Sequence, residues 1–433
     1  MGKRLLILGT QVEFTEMVKK AVERGWYTVV CDGYEDGPAR LWADRAYTVD
    51  VREIDRIAEI AREEKIDRIL TSFSDIMFEC MVRIADKAGI PCYMGPDMLP
   101  AFRNKAVARK LCEEAGIRVP AYYLLTKENL TKIPSDFPFP AVLKPVDSYG
   151  SRGLRVVHDP AEVKLYFAQS AACSIGDDTA LLEGMSRGQE LNCMGLVMDG
   201  KVKLISIADR MTASWESSRI PVNYAIRYPS AFFDDAREAV TDTMQRFADK
   251  TGMTDGPMAM QCFYDGEGVE VCEIAGRFFG FEHEMVLITT GMDMEDLLLD
   301  MAFDPDAVKR TMEHHDPKGF GHASCVYLHS IADGVLKDQE SLYQLCEHPA
   351  ARAHLLFYKE GEHVGVLGPR QYFARYYMYG DTHDEMLKAE RDVFERARAY
   401  DTQDRQLLYL PPLYRESSEK IKKSSSLHAE HAT

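Results

Sequence analysis

Residues 258–277 decide how this chain is read: Met258-Ala-Met-Gln261-Cys-Phe-Tyr-Asp265-Gly-Glu-Gly268-Val-Glu-Val-Cys-Glu273-Ile-Ala275-Gly-Arg277. Two apolar runs flank Asp265-Gly-Glu-Gly268, the mark of a tight antiparallel turn. A three-residue loop at 266–268 sets Asp265 opposite Val269, and Gln261 then falls opposite Glu273. Opposed residues hold their Cβ atoms roughly 5 Å apart. Alternation along the strands sends Gln261, Glu273, Ala275 and Arg277 to one face. An amide oxygen, a carboxylate and a guanidinium gathered there would seat a magnesium-bound polyphosphate, with oxygens for the hard cation and a fork for the anion. The same pattern also describes the solvated side of an ordinary hairpin.

The bulk properties narrow the choice. A chain of 433 residues is long enough for two to four domains with separate cores. Its 46% hydrophobic and 28% charged content is that of an ordinary globular protein. A net charge of −17 argues against nucleic acid or an anionic membrane as a partner, but not against nucleotides, which a few local cations can grip. No apolar run reaches the roughly 18 residues of a membrane span. The opening Lys3-Arg-Leu-Leu-Ile-Leu8 stops at Gly9, too short for a leader, and reads as a buried first strand. Ten cysteines are scattered without a Cys-x-x-Cys pair, which predicts free core thiols, a cytoplasmic setting and no zinc site.

The fold class expected is mixed α/β and α+β, in several domains. Residues 1–98 alternate short apolar runs with amphipathic helices, a doubly wound unit whose first loop carries Gly9 alone and so lacks a dinucleotide fingerprint. A second domain is expected over 99–305 and a smaller one over 306–410, with Asp304-Pro305 as the boundary. The Ser-, Lys- and His-rich stretch 411–433 has no apolar periodicity and is expected to be a disordered tail. The segment Asp209–Arg227, with Trp215, Arg219 and Tyr224, is expected to border an acceptor site or to be a surface excursion.

Two further features point to anion chemistry. The loop Asp147-Ser148-Tyr-Gly150-Ser151-Arg152-Gly153 joins two strands and can fold its amides over phosphates, aided by side-chain donors. Lys144 closes the apolar strand just before it, and a lysine there needs an anionic partner; a carboxylate would serve, but a phosphate suits the neighbouring loop better. Lys105, at a helix start after Asn104, opposes the macrodipole unless an anion lies between. Taken alone, it reads as a solvated surface lysine.

These motifs together resemble the ATP-grasp superfamily, in its carboxylate–amine ligase and biotin-carboxylase-like branch. Asn104-Lys105 resembles the first nucleotide lysine. Pro140-Ala-Val-Leu-Lys144-Pro145 with Gly150-Ser-Arg-Gly153 is similar to the second lysine and the phosphate loop. Leu181-Leu-Glu183-Gly184 through Glu190 looks like the hinge. The resemblance covers about residues 3–400. It implies a Rossmann-like N-terminal domain, a central grasp domain and a small C-terminal lid.

It also implies roles. The backbone after Glu183 would meet adenine, and Glu190 the ribose. Lys105, Lys144, Ser148, Gly150, Ser151, Arg152 and Gly153 would hold ATP phosphates. Gln261 and Glu273 would ligate magnesium, or manganese in its place, and Arg277 would hold the substrate carboxylate or acyl phosphate, with Lys144 and Arg277 acting in catalysis. The reaction implied joins a small carboxylate to an amine through an acyl phosphate, releasing ADP and phosphate. Amino-acid substrates are the first expectation, a purine-pathway-like small acid the second, and a weakened ATP-binding protein the third. A homodimer is also within the family's habits. One position departs: the superfamily usually reads Glu-x-Asn-x-Arg, and here the Asn position is Ala275, which cannot ligate a metal.

Overall fold

The protein is described by a computed structural model covering residues 2–148, 153–176, 178–213, 221–280, 282–366 and 372–411. The first unit is a parallel sheet of β1 (Arg4–Leu8), β2 (Tyr27–Asp32), β3 (Arg45–Thr48) and β4 (Arg68–Leu70), in the order β3-β2-β1-β4. Helices α1 (Val12–Glu23) and α2 (Ile54–Glu63) connect β1 to β2 and β3 to β4, and α3 (Asp75–Ala88) follows β4. Leu5 to Leu8 are fully buried, as a strand covered on both faces requires. Strand order reverses at β1, so the loops after β1 and β4 border the crevice where such sheets receive ligands.

Helices α4 (Leu99–Arg103) and α5 (Lys105–Glu114) lead into a small antiparallel sheet. Asn104 caps α5 by accepting from the amides of Ala106 and Val107. The small sheet holds β5 (Tyr122–Leu125), β6 (Ala141–Pro145), β7 (Arg155–Val157) and β8 (Ala180–Gly184), ordered β5-β8-β6-β7. Helix α6 (Pro160–Ala171), capped by Asp159, packs Val163 and Phe167 into its core.

The large sheet is antiparallel and begins with β9 (Gln189–Met198), β10 (Lys201–Ala213) and β11 (Val222–Tyr228). Asp199 and Gly200, at φ of 49° and 73°, turn β9 into β10 as a two-residue hairpin demands. After α7 (Phe233–Thr251) come β12 (Gly256–Tyr264) and β13 (Val269–Ala275), then α8 (His283–Thr290), α9 (Met294–Phe303) and α10 (Pro305–His314). The remainder comprises β14 (His322–Leu328), β15 (Gly334–Asp338), α11 (Glu340–Cys346), β16 (Ala351–Leu356), β17 (His363–Val364), β18 (Ala374–Gly380), α12 (His383–Arg396) and β19 (Tyr400–Asp401). The strand order is β13-β12-β9-β10-β11-β14-β18-β16. Strands from beyond residue 320 therefore extend the same sheet that carries the hairpin.

One detail differs from the expectations above. Tyr224 lies on β11 with its ring buried against Phe394, so it packs a core and does not border an acceptor site. Trp215 and Arg219 lie outside the described residues. Cys262 on β12 neighbours Cys193 on β9, with sulfurs 3.9 Å apart.

Candidate active site

The hairpin folds with Gln261 directly opposite Glu273, but by a different route from the one expected. Its loop is 265–268, with Tyr264 facing Val269, and the register shifts between Gln261 and Cys262 so that Cys272 is an extra residue. That β-bulge restores the Gln261–Glu273 pairing. Asp265 closes the loop by accepting from the amides of Glu267 and Gly268, both at 3.0 Å.

On its other side Gln261 faces Asn192 of β9, so Asn192, Gln261 and Glu273 form one row across three strands. Glu190, two residues before Asn192, shares that face. Its Oε1 accepts from Arg210 Nη1 at 2.6 Å and from the Gln261 amide nitrogen. Pinning that nitrogen fixes which end of Gln261 is left to offer an oxygen. The Glu273 side chain is 50% exposed, and Ala275 lies opposite Ala259, methyl to methyl. The donors offered are amide and carboxylate oxygens, the kind a hard divalent cation takes. Among the described residues no group of three or more His, Cys, Asp or Glu side chains is arranged to hold a metal ion.

Two lysines reach this face from the small-sheet side. Lys105 Nζ donates to the Ser148 carbonyl at 3.0 Å and stands 4.0 Å from Glu273. Burial is the largest influence on it and lowers its pKa, against the opposing pull of Glu273. It is thus a largely buried cation, not the solvated lysine of the sequence pattern. Lys144 has a protein partner: Glu183 at 2.5 Å. Glu183 also accepts from Arg109 Nε at 2.7 Å, and Arg109 Nη2 continues to the Cys272 carbonyl at 2.6 Å. The anion expected beside Lys144 is therefore Glu183 itself, and any role for residue 183 toward a nucleotide falls to its backbone. Burial would raise the Glu183 pKa, but Lys144 and Arg109 outweigh it and hold the carboxyl below its ordinary value.

The phosphate-loop candidates are only partly described. Ser148 is buried, and Gly153 has φ of 74° with its Cα turned toward Pro145 and Cys173, where a Cβ would collide. Gly150, Ser151 and Arg152 lie outside the described residues. At the hinge, Gly188 has φ of 106°, and a Cβ there would stand 2.2 Å from the Tyr264 carbonyl. Only glycine lets the hinge approach the end of β12 so closely.

Arg277 is placed differently from the expectation. β13 ends at Ala275, and the guanidinium turns to Asp75 at the start of α3, making bonds of 2.7 and 2.6 Å to its two oxygens. Its fork is thus filled by an internal carboxylate from the N-terminal unit. Arg103 lies 3.9 Å from Asp75 and 3.1 Å from Glu79. Near Arg277, Glu282 is fully buried, receives hydrogen bonds from Asn192 (2.6 Å) and Tyr228, and burial pushes its carboxyl up to about 7.

Asn192, Arg210, Asp75, Arg109 and Glu282 escaped sequence reasoning. Asn192 and Arg210 are polar residues within largely apolar strands, which is a usable signal. Asp75 and Arg109 lie on ordinary amphipathic helices and carry none.

A protein-family model described as an ATP-grasp domain matches residues 137–283, and a PylC-like N-terminal domain matches residues 5–92. A formate-dependent phosphoribosylglycinamide formyltransferase of Sulfurisphaera tokodaii is 29% identical over 172 residues. That alignment covers 39% of this chain and 43% of the relative, less than half of its length. Among solved structures, an L-amino acid ligase from Bacillus licheniformis superposes with a TM-score of 0.78 at 16% identity, covering 93% of this chain and 99% of that one. The biotin carboxylase domain of a Hydrogenobacter thermophilus 2-oxoglutarate carboxylase, in complex with MgADP, ADP and bicarbonate, gives 0.72 at 16% identity, covering 96% and 93%. The fold is theirs.

Proposed function

We propose that this chain, which carries an ATP-grasp domain behind a PylC-like N-terminal domain, is an ATP-dependent ligase joining a small carboxylate to an amine. One observation carries the reading: two oxygen donors, Gln261 and Glu273, stand side by side on the large sheet, with Lys105 4.0 Å from Glu273 and Lys144 on the neighbouring small sheet. That is an arrangement for a polyphosphate with its divalent cation. When bound, the cation would neutralise charge on the phosphate oxygens.

The chain's own part is to position and to screen. Lys105 and Lys144 face the phosphates, with the 148–153 loop beside them. Glu190 faces the ribose, and the backbone after Glu183 meets adenine. The substrate carboxylate attacks the γ-phosphorus, the bond to the β-phosphate oxygen breaks, and ADP leaves. The amine nitrogen then attacks the acyl carbon, expelling inorganic phosphate, and loses a proton. Arg277 must exchange Asp75 for the substrate oxygens to take part. The division at 98 and 305, with 306–410 closing as a lid, belongs to the same reading, as does a cytoplasmic, small-molecule role. Among the described residues no helix is long and apolar enough to cross a membrane.

Amino acids are the substrates we favour. The likeness to formate-dependent enzymes makes a small acid the second choice. Ala275 and the occupied Arg277 favour a third reading, nucleotide binding without turnover. The test is release of ADP and phosphate over a panel of amino acids, formate and other small acids, each with and without an amine. Amine-dependent release for any pair supports the ligase. Tight ATP binding with no release across the panel overturns it.

A further inference from the structure

Building on the ligase reading, we propose that Asn192 is a third protein ligand of the divalent cation, supplying the amide oxygen that Ala275 cannot. The structure carries this independently of the motif. Asn192 is only 5% exposed, and its Nδ2 donates to Glu282 at 2.6 Å. Its Oδ1 is buried, and among the described residues it has no hydrogen-bond partner. A buried carbonyl oxygen left this way is costly, and such atoms call for a partner that the protein alone does not provide.

Placement identifies the partner. Asn192 lies directly opposite Gln261, on the same sheet face, and Gln261 lies opposite Glu273. A cation above Gln261 has Glu273 on one flank and Asn192 on the other, each strand about 5 Å from the next. The two amides are also set alike. Glu190 holds the nitrogen of Gln261, and Glu282 holds the nitrogen of Asn192. Neither amide can flip without losing its bond to a carboxyl oxygen, so both present oxygen. Two protein donors would leave four of six positions to water and phosphate; a third brings the site nearer to a fixed octahedron.

Mn2+ is the probe, with free ion followed by electron paramagnetic resonance in the presence of the non-hydrolysable adenosine 5′-(β,γ-imido)triphosphate. Asn192→Ala should weaken Mn2+ binding about tenfold or more, while affinity for the metal-free nucleotide stays put. Asn192→Ala combined with Ala275→Asn should recover most of the loss, because an oxygen returns to the same face, one row along beside Glu273, while the bond to Glu282 stays missing. Should the alanine variant melt well below the parent, Asn192→Leu, alike in branching and without an oxygen, is read in its place. Mn2+ binding unchanged in the variants overturns the inference and leaves the ligase reading standing, as does a loss that Ala275→Asn does not restore. A parent protein that takes up no Mn2+ with the nucleotide overturns both.

Discussion

Glu183 and Glu273 are both carboxylates beside a lysine, yet they live in opposite surroundings. Glu183 is 5% exposed and bound on two sides, by Arg109 and Lys144. Glu273 is half exposed, with Lys105 at 4.0 Å. The first has no capacity left for a ligand, and through Arg109 it fastens the small sheet to β13. The second has solvent-facing oxygens and a neighbouring amide. Proximity to a cation does not distinguish a bolt from a binding site; saturation does.

The comparison breaks most visibly in turnover. Glu273→Gln should lower the rate with any accepted substrate pair by at least about 100-fold, with the melting temperature little changed because the side chain is half exposed. ADP release and a melting curve measured together check this, and parent-like turnover would remove Glu273 from the site. Glu183→Gln should do the reverse to stability: removing one member of a buried pair costs about 3–5 kcal/mol, read from urea unfolding. A loss of only a few tenths would mean that the buried cluster is no bolt.

A second saturated cluster sharpens the rule by its pH behaviour. His283 stacks on Phe73 and lies 2.6 Å from Glu295 and 3.0 Å from Glu284. Burial alone would lower its pKa, but the two carboxylates outweigh burial and raise it to about 10. Because the folded value exceeds the unfolded one of about 6.5, the stabilisation is fully present below pH 6.5 and is lost as pH rises through about 10. Denaturant midpoints at pH 6, 8 and 10 should fall across that window, and His283→Gln should flatten the fall. An equal slope in both proteins would contradict the assignment.

The smallest effect belongs to the open site. Ala275→Asn in the parent adds an oxygen beside Glu273, and at low magnesium it should raise turnover several-fold at most. If Asn192 already fills the need, the gain shrinks further, and a large gain would count against Asn192 as a ligand.

Much of this was legible in the chain because hydrophobic alternation and turn residues act locally. The parallel unit, the Asp199-Gly200 hairpin and the opposition of Gln261 to Glu273 follow from such patterns. Even there alternation predicts a three-residue loop where the chain makes a four-residue one, and a one-residue bulge at Cys272, invisible to alternation, compensates. What local patterns cannot encode is which distant segment meets which. Strand β14 joining β11, Glu183 meeting Lys144, and Asp75 filling Arg277 are contacts between residues far apart in sequence. The apolar strand that ends at Lys144 predicts an anion beside it, but no local pattern says that Glu183 supplies one.

The central claim is that a magnesium-bound triphosphate lies between the two sheets over the Gln261–Glu273 pair. A crystal structure with magnesium and a non-hydrolysable ATP analogue tests it most directly. The account predicts phosphates beside Lys105 and Lys144, with the metal bonded to Gln261 and Glu273. Nucleotide bound elsewhere, or phosphates in the cleft with no metal on that pair, would contradict it.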